Sequence, residues 1–283
     1  ELLEGDLGDA ATLDRALGTG RFGCVMHFAS FIQVGESVGA PAKYYANNVA
    51  NTIALLNAMA RHGVRRFIFS SSAAVYGEPE RVPIPEDHPT RPVNPYGRTK
   101  LMVEELLPDY ARAYGLQWAA LRYFNAAGAD PDGRLGERHE PETHLIPLAL
   151  RAASGRIPRL TVFGTDYPTP DGTCIRDYVH VMDLAEAHLL ALQYLENGGE
   201  SRAFNLGNGG GFSVKQVIGS VGRVPGRKVP VEYGPRRAGD PAVLVADASA
   251  AREILGWKPR YADLDTIVQH AWAWERRLAS MPG

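Results

Sequence analysis

A tyrosine and a lysine four positions apart are the residues of this sequence whose types and spacing first predict chemistry. Tyr96 and Lys100 stand in the segment YGRTK, which follows Asn94-Pro95 and has the pattern of a helix start. Their spacing places the phenol and the ammonium on one helical face. A phenol has a pKa of about 10, and a nearby cation favours the phenolate, so the pair predicts proton transfer at a hydroxyl or carbonyl. In isolation, this pattern is more often a packed tyrosine and a solvated lysine.

A run of serines upstream strengthens the interpretation of Tyr96 and Lys100 as a catalytic pair. The apolar segment 67–70 predicts a strand, and it runs into Ser70-Ser71-Ser72-Ala73-Ala74. Parallel doubly wound sheets bind ligands at the carboxyl ends of their strands. On its own, a serine-rich segment after a strand is as often an ordinary solvent-exposed loop as it is part of a binding site. Followed by YxxxK on the next helix, it predicts the catalytic set Ser72, Tyr96 and Lys100.

The elements that must position this set alternate between strand and helix. The apolar patterns predict strands at 24–29, 66–70 and 117–124 and helices at 42–62 and 96–114. Such alternation predicts an α/β fold with a parallel, doubly wound sheet. Pro108 falls inside the second helix and predicts a kink or a break there.

The second half of the chain has a less regular pattern, which predicts a smaller substrate-covering lobe interleaved with the last elements of the sheet. The predicted strands are 160–163 and 203–206, and the predicted helices are 142–154, 181–195, 213–221, 249–255 and 263–278. Ser213 is expected to cap the third of these helices.

Composition excludes several classes of protein. The 283 residues include 30 basic and 32 acidic side chains, a net charge of −2, so no nucleic-acid partner is expected. No apolar run reaches the length of about 18 residues that a bilayer requires, so no membrane partner is expected. The two cysteines, Cys24 and Cys174, stand far apart. They exclude a disulfide scaffold and a zinc ribbon, and we expect a cytoplasmic protein without a metal site.

The set Ser72, Tyr96 and Lys100 is the arrangement of short-chain dehydrogenases/reductases. Over essentially its whole length, the sequence resembles the UDP-glucose 4-epimerase family of the extended branch. The resemblance is carried by the segments 27–29, 34–38, 44–49, 67–77, 95–104, 121–125, 163–169, 171–185, 205–207 and 235–240. It implies a Rossmann-type α/β fold, NAD as cofactor and a smaller α/β lobe that binds a UDP-hexose.

The resemblance also implies a mechanism and a cofactor site. In that family, NAD⁺ takes a hydride from C4 of the sugar, the 4-keto sugar turns over, and the hydride returns to its other face. Tyr96 matches the base, Lys100 the residue that holds the nicotinamide ribose and lowers the pKa of the tyrosine, and Ser72 the hydroxyl that bonds the sugar O4. The implied cofactor residues are Asp6, Leu7, Phe28, Ala29, Ser30, Asn47, Ser72, Tyr96, Lys100 and Phe124.

The substrate residues implied by the resemblance lie mostly in the second half. They are Ser72, Tyr96, Asn125, His144, Leu145, Thr161, Val162, Phe163, Arg176, Arg237, Asp240 and Leu244. Arg176 and Arg237 match ligands of the diphosphate, since a planar guanidinium suits bidentate anions. His144 stands where many members carry an asparagine, so its role is open. Leu244 matches a gate residue, and its intermediate size predicts a preference for glucose and galactose over N-acetyl sugars.

The resemblance divides the chain into an NAD-binding domain, residues 1–125 and 177–207, and a UDP-sugar-binding lobe, residues 126–176 and 208–283. No Gly-rich turn for the NAD pyrophosphate precedes Gly5-Asp6, although residues 1–7 have the pattern of a strand end. We therefore expect that the sheet lacks its first βαβ unit, roughly 50 residues upstream of Glu1. Family members commonly pair through the helices predicted here at 42–62 and 96–114, so a homodimer is expected.

Other functions remain open at this stage. A nucleotide-sugar dehydratase or decarboxylase would place an acid/base just after the strand hydroxyl, where this chain has Ala73 and Ala74. Another UDP-sugar 4-epimerase, acting on an N-acetylhexosamine, a pentose or a uronate, is an alternative. A non-catalytic nucleotide-sugar binding protein is another, although the intact set Ser72, Tyr96 and Lys100 argues against it.

Overall fold

The computed structural model describes residues 2–237 and 239–281. Glu1 and Ala238, which belong to two of the segments used above, lie outside the described residues. The chain forms two compact units. Unit 1 comprises Glu1–Glu78, Glu86–Arg122 and His188–Asn205, and unit 2 comprises Pro79–Pro85, Tyr123–Ala187 and Leu206–Gly283. Each is described below by itself.

Strands and helices alternate through the first 123 residues, and short strands follow. The strands are β1 (Val25–His27), β2 (Arg66–Ser72), β3 (Gln117–Tyr123), β4 (Asn125–Ala127), β5 (Leu160–Phe163), β6 (Ile175–Arg176), β7 (Tyr178–His180), β8 (Arg202–Leu206), β9 (Phe212–Ser213), β10 (Val231–Gly234) and β11 (Val243–Leu244).

The helices differ widely in length. They are α1 (Ala10–Leu17), α2 (Val34–Gly39), α3 (Pro41–Tyr44), α4 (Asn51–Arg61), α5 (Pro95–Tyr114), α6 (Leu145–Ala153), α7 (Val181–Glu196), α8 (Val214–Arg223), α9 (Ser249–Ile254) and α10 (Leu264–Ser280). A π-helical segment, Tyr45–Ala50, joins α3 to α4, and a 3-10 turn, Ala73–Val75, follows β2.

Unit 1 is built on a four-stranded sheet with the order β1-β2-β3-β8, in which β1 and β2 pair in parallel. Helices α1, α4 and α5 contribute to its apolar core, which includes Leu13, Leu56, Phe67, Val103 and Leu107. The expected α/β fold with a parallel sheet and flanking helices is confirmed.

Several predicted elements of unit 1 differ from the structure. The segment expected to end a strand, residues 1–7, forms no strand in its described part, and the unpredicted α1 follows it. The helix expected at 42–62 contains the π-helical segment before α4. Pro108 does not break α5, because it lies on the exposed side while Val103 and Leu107 hold the other side in the core. Burial of that face outweighs a proline penalty of about 3 kcal/mol.

Unit 2 contains three small sheets, with the orders β10-β5, β11-β6-β9 and β4-β7. Helices α6, α8 and α10 surround a core that includes Ile146, Leu150, Val217 and Ile267. Ser213 caps α8 as predicted, in a reciprocal pair with the side chain of Gln216. The helix expected from residue 142 begins at Leu145. The strand predicted at 160–163 is β5, but several other short strands, such as β6 and β10, were not predicted because they are too short to show a two-residue period.

Among residues 2–237 and 239–281, none of the helices combines the length and the apolar character that a bilayer crossing requires.

Candidate active site

Lys100 is a buried lysine in unit 1 with only 2% of its surface exposed. Its ammonium donates hydrogen bonds to Ser30 Oγ at 2.9 Å and to the Ser70 carbonyl oxygen at 2.8 Å. Burial lowers the pKa of Lys100 to about 7, although the Glu104 carboxylate opposes the shift.

Tyr96 lies one helical turn before Lys100 on α5, and its phenol is hydrogen-bonded to the Ser72 side chain. Burial raises the pKa of Tyr96, and the hydrogen bond with Ser72 only partly opposes that rise. The Lys100 Nζ atom lies 5.9 Å from the centre of the tyrosine ring. Burial is thus the dominant influence on the Tyr96 phenol in the protein by itself, and the lowering of its pKa by Lys100 with help from the nicotinamide cation stays a prediction.

Gly97 allows α5 to approach the end of β2, where Ser72 stands. A Cβ atom at position 97 would lie 2.4 Å from the Ala74 carbonyl oxygen, far inside contact distance. Asn94 fixes the start of the same helix, because its side chain accepts a hydrogen bond from the Gly97 N–H at 2.8 Å. Ser72, Tyr96 and Lys100 are therefore brought together as predicted, by a capped helix packed closely on a strand end.

A buried ion pair in unit 1 was not predicted to have a role. Arg122 Nε donates to both Glu104 carboxylate oxygens, at 3.0 and 3.1 Å, and Ser71 Oγ donates to one of them at 2.5 Å. The same arginine donates to the Tyr76 hydroxyl at 2.9 Å. Glu104 and Arg122 were visible in sequence only as ordinary charged residues on a helix and a strand. Their network joins α5 to β2 and β3, the elements that carry the proton-transfer residues.

The other predicted cofactor residues of unit 1 have different environments. Phe28 follows β1, is 57% exposed and packs its ring 4.8 Å from that of His188. Ala29 is exposed beside it, and Ser30 accepts the hydrogen bond from Lys100. Asn47 donates to the Asn48 side chain at 2.9 Å. Asp6 is exposed and accepts from the Gly8 N–H, whereas Leu7 is half-buried against the unit 1 core.

Unit 2 contains a cavity of about 490 Å³. Most of the predicted substrate residues of this unit line it, namely Asn125, His144, Leu145, Thr161, Val162, Phe163, Arg176, Arg237 and Asp240. Phe124 and Leu244 are not among the described residues that line the cavity. Leu244 instead pairs with Arg176 across β11 and β6.

Arg176 and Arg237 are two of the three arginines in the wall of this cavity, and Arg159 is the third among the described residues. Arg176 is only slightly exposed, is ion-paired with Asp240 and donates to its neighbouring carbonyl at Ile175. Arg237 lies with its guanidinium 4.0 Å from the centre of the Phe163 ring. Two fixed cations next to an aromatic surface suit an anionic ligand that carries a planar ring.

Two buried aspartates hold backbone segments of unit 2 in place by accepting hydrogen bonds from backbone N–H groups. Asp177 accepts hydrogen bonds from the backbone N–H groups of Asn208, Gly209 and Ala246, at 2.7, 3.0 and 3.1 Å. Burial raises the pKa of Asp177, and these N–H groups oppose the rise. Asp183, in the first turn of α7, likewise accepts from the N–H groups of Arg260 and Tyr261. Asp177 therefore fixes the backbone next to the cavity arginine.

His144 differs from the other cavity residues, because it faces two carboxylates that were not predicted as site residues. Its Nδ1 atom lies 2.6 Å from Glu137 Oε1 and 3.0 Å from Glu142 Oε1. Hydrogen bonds with Glu137 and then Glu142 raise the pKa of His144 to about 10. The sequence signal for this group is the spacing Glu137, His139, Glu142 and His144, which places four ionisable side chains in one loop.

With this geometry established, similarity to known proteins can be stated. A model of the NAD dependent epimerase/dehydratase family matches residues 1–207. The chain belongs to this family. The matched residues include all of the proton-transfer set in unit 1 and the cavity residues of unit 2 as far as Arg176.

Individual members of the epimerase/dehydratase family are similar over nearly the whole chain. A UDP-glucose 4-epimerase of Halalkalibacterium halodurans is 54% identical over 96% of this chain and 81% of its own length. A UDP-glucose 4-epimerase structure from Brucella ovis, in complex with NAD, has a TM-score of 0.93, 54% identity and coverage of 95% of this chain and 83% of that one. One from Bifidobacterium longum, with NAD⁺ and UDP, has a TM-score of 0.92, 40% identity and coverage of 97% and 82%.

Proposed function

We propose that the chain interconverts UDP-glucose and UDP-galactose as an NAD-dependent 4-epimerase. The observation that carries the proposal is the assembled set Ser72, Tyr96 and Lys100, in which a phenol, a hydroxyl and a buried ammonium meet. It is supported by relatives of about half identical sequence that are named UDP-glucose 4-epimerase. Ala73 and Ala74 lack the acid/base that a dehydratase would use.

The residues of unit 1 fit NAD. Two of the three ammonium donors of Lys100 are used by Ser30 and Ser70, which leaves one for a ribose hydroxyl. Phe28 and Ala29 leave an exposed surface at the carboxyl end of β1, where doubly wound sheets bind nucleotides. NAD, when bound, supplies the acceptor and donor for the hydrogen at sugar C4, together with a positive charge. The remaining cofactor residues we assign are Asp6, Leu7, Asn47 and Phe124.

Tyr96 performs the proton transfer in this proposal. Burial raises its pKa, so the phenol needs added positive charge nearby before it acts as a base at neutral pH. Ser72 holds the phenol by a hydrogen bond and relays the proton of the 4-hydroxyl. Lys100 orients the ribose and adds charge, and the returning proton leaves Tyr96 when the 4-keto sugar is reduced again.

Unit 2 binds the UDP part of the substrate in this proposal. Arg176 and Arg237 bind the diphosphate, Thr161, Val162 and Phe163 line the uracil, and Asp240 binds the ribose. Asn125, His144 and Leu145 contact the rest of the sugar nucleotide. As the resemblance implies, we further propose an NAD-binding domain of residues 1–125 and 177–207 and a UDP-hexose-binding lobe of residues 126–176 and 208–283, although the two compact units divide at somewhat different positions.

Direct turnover tests the proposal. The protein is mixed with UDP-galactose and NAD⁺, and UDP-glucose is measured with a UDP-glucose dehydrogenase. We expect catalytic formation of UDP-glucose, faster than the parallel reactions with UDP-N-acetylgalactosamine, UDP-arabinopyranose and UDP-galacturonate. Faster turnover of one of these would favour another 4-epimerase. Tight binding of UDP-sugars without any turnover would favour the binding-protein alternative.

The assembly and location follow the same proposal. We propose a cytoplasmic homodimer that pairs through α5 and the helical stretch from Pro41 to Arg61. Light scattering of the purified protein should give twice the chain mass, and a monomer would contradict it.

A further inference from the structure

The loop between β4 and α6 brings together four ionisable side chains, of which only His144 has a role in the proposed reaction. Glu137, His139, Glu142 and His144 each offer one ligand atom, and these atoms all lie within 4.8 Å of one another. All four residues are half-buried. The Glu142 side chain is only 2% exposed, so its carboxylate is almost entirely removed from water.

The hydrogen bonds within this loop bring two carboxylates to one ring nitrogen. His144 Nδ1 lies 2.6 Å from a Glu137 oxygen and 3.0 Å from a Glu142 oxygen, yet a ring nitrogen carries at most a single proton. One nitrogen therefore cannot satisfy both carboxylate oxygens fully. The backbone N–H groups of Thr143 and His144 donate to Glu142 Oε1, at 2.7 and 2.8 Å, and fix that carboxylate in place.

His139 contributes a buried, unpartnered nitrogen to this group. Its Nδ1 atom is buried, has no hydrogen-bond partner among the described residues and lies 3.8 Å from Glu142 Oε1. A buried polar atom without a partner costs free energy unless something binds it. The unpartnered nitrogen belongs to the same group of converging atoms as the two carboxylates and His144.

The kind of ligand follows from the donor atoms. A tetrahedral metal with bonds of about 2.0–2.1 Å separates its ligand atoms by about 3.3 Å, and small shifts of these side chains reach that spacing. Two imidazole nitrogens with two carboxylate oxygens suit Zn²⁺, whereas Mg²⁺ and Ca²⁺ prefer sites made entirely of oxygen. We propose that Glu137, His139, Glu142 and His144 bind a Zn²⁺ ion that fastens this loop.

A metal ion bound here would stabilise the fold and would take no part in the chemistry at the sugar. The loop is already attached to α10, because Trp274 Nε1 donates to the Glu137 carbonyl at 2.7 Å. His144 immediately precedes α6, so a metal here would join the loop to the start of that helix and fix one wall of the cavity. The inference goes beyond the proposed epimerase activity, and the two sites share His144 and one wall of the cavity.

Cobalt spectroscopy tests the site without any use of enzymatic activity. Tag-free protein is stripped with a chelator, dialysed and titrated with Co²⁺, whose visible absorption reports four- or five-coordinate nitrogen and oxygen ligands. We expect one Co²⁺ per chain, displaced stoichiometrically by Zn²⁺ and not by excess Mg²⁺. Zn²⁺ should also raise the melting temperature, since binding to the native state alone stabilises it.

Variants locate the site. His139→Gln and, separately, Glu137→Gln should each weaken Zn²⁺ binding by about 100-fold or more, since even loss of an outer partner costs 10–100-fold. Glu137 is 30% exposed, so its variant should fold even if His139→Gln does not. The matched control is His62→Gln, which removes a histidine paired with Asp14 in unit 1 and should leave Zn²⁺ affinity unchanged.

Two results would overturn the proposal. The first is absence of the cobalt band together with no effect of Zn²⁺ on the melting temperature. The second is Zn²⁺ binding that both loop variants retain at full affinity. Because neither readout involves UDP-sugars, failure of the metal site would leave the proposed epimerase function untouched, and failure of turnover would leave the metal site untouched.

Discussion

The two units of this protein use charge in opposite ways. In unit 1, Lys100 is buried and its pKa falls to about 7, while burial raises the pKa of Tyr96. In unit 2, Arg176 and Arg237 line a cavity of about 490 Å³, and a guanidinium keeps its charge at any physiological pH. Proton transfer requires groups whose protonation can change, and anion binding requires groups whose protonation cannot. The difference shows that burial sets the pKa values of the proton-transfer residues in unit 1, whereas the positions of permanently charged arginines define the cavity of unit 2.

Tyr96→Phe should give the largest effect, because it removes the ionisable group and keeps the ring. Turnover of UDP-galactose should fall by about 10²–10⁴-fold, the usual contribution of a positioned acid/base. UDP affinity measured by calorimetry should change little, since the variant leaves unit 2 intact. The control is Tyr110→Phe, which lies on α5 like Tyr96 and removes a hydroxyl that donates to Asn57 of α4; it should keep full turnover. Unchanged turnover in Tyr96→Phe would refute the assignment of the base.

Arg176→Gln should give the next largest effect. It should weaken UDP binding, which Tyr96→Phe leaves nearly unchanged. It removes a cation and leaves the Asp240 carboxylate unpaired in the cavity. We expect UDP affinity to fall by about 10–100-fold, the value of one to two charge-assisted hydrogen bonds. Arg237→Gln should cost less, because its neighbour is the uncharged ring of Phe163. Arg223→Gln, at an exposed ion pair with Asp265, is the control. If Arg176→Gln left the Kd for UDP unchanged, the division of roles between the units would fail.

The contrast between the units also explains what sequence could predict. Ser72, Tyr96 and Lys100 lie within 29 positions on one strand and the next helix, so spacing alone indicated that they would meet. The described cavity residues come from several short segments between Asn125 and Glu275. Arg176 and Arg237 are ordinary charged residues taken singly, and only the family resemblance predicted that they share a cavity.

The remaining errors have physical causes that no local pattern displays. The effect of burial on the Tyr96 pKa was not foreseen, because burial is a property of the folded unit and not of the YxxxK spacing. The group of Glu137, His139, Glu142 and His144 was missed because its residues form no helical or strand period. Pro108 was misjudged because a local helix-breaking tendency competed with burial of the other face of α5.

The pH dependence of stability tests the burial of Lys100, with a smaller expected effect. Its folded pKa of about 7 lies below the value of about 10.4 for an unfolded lysine, so between these values the unfolded state binds more protons. The free energy of unfolding should therefore rise with pH, by at most about 1.4 kcal/mol per unit, relative to Lys100→Met. Denaturant unfolding of both proteins from pH 7 to 9.5 measures this difference.

Lys43→Met supplies the control for that measurement, because Lys43 is exposed in an ion pair with Glu36. Its stability relative to the parent protein should not change over the same pH range. A constant difference between the parent protein and Lys100→Met would mean that Lys100 keeps an ordinary pKa, and the electrostatic contrast between the units would then disappear.

Substitution of Leu244 should give the smallest effect. It tests whether the residues that line the cavity of unit 2 determine the selectivity between UDP-sugars. The residue is absent from the described cavity lining, and its backbone carbonyl accepts a hydrogen bond from the Asp177 N–H at 3.1 Å. As a side-chain gate, Leu244→Cys should raise turnover of UDP-N-acetylglucosamine relative to UDP-glucose by about 10-fold, the value of a small change in pocket size. Val243→Ala, at the neighbouring position of β11, should not change this ratio. If Leu244→Cys also leaves it unchanged, the residue contributes through its backbone alone, and selectivity must come from the residues that line the cavity.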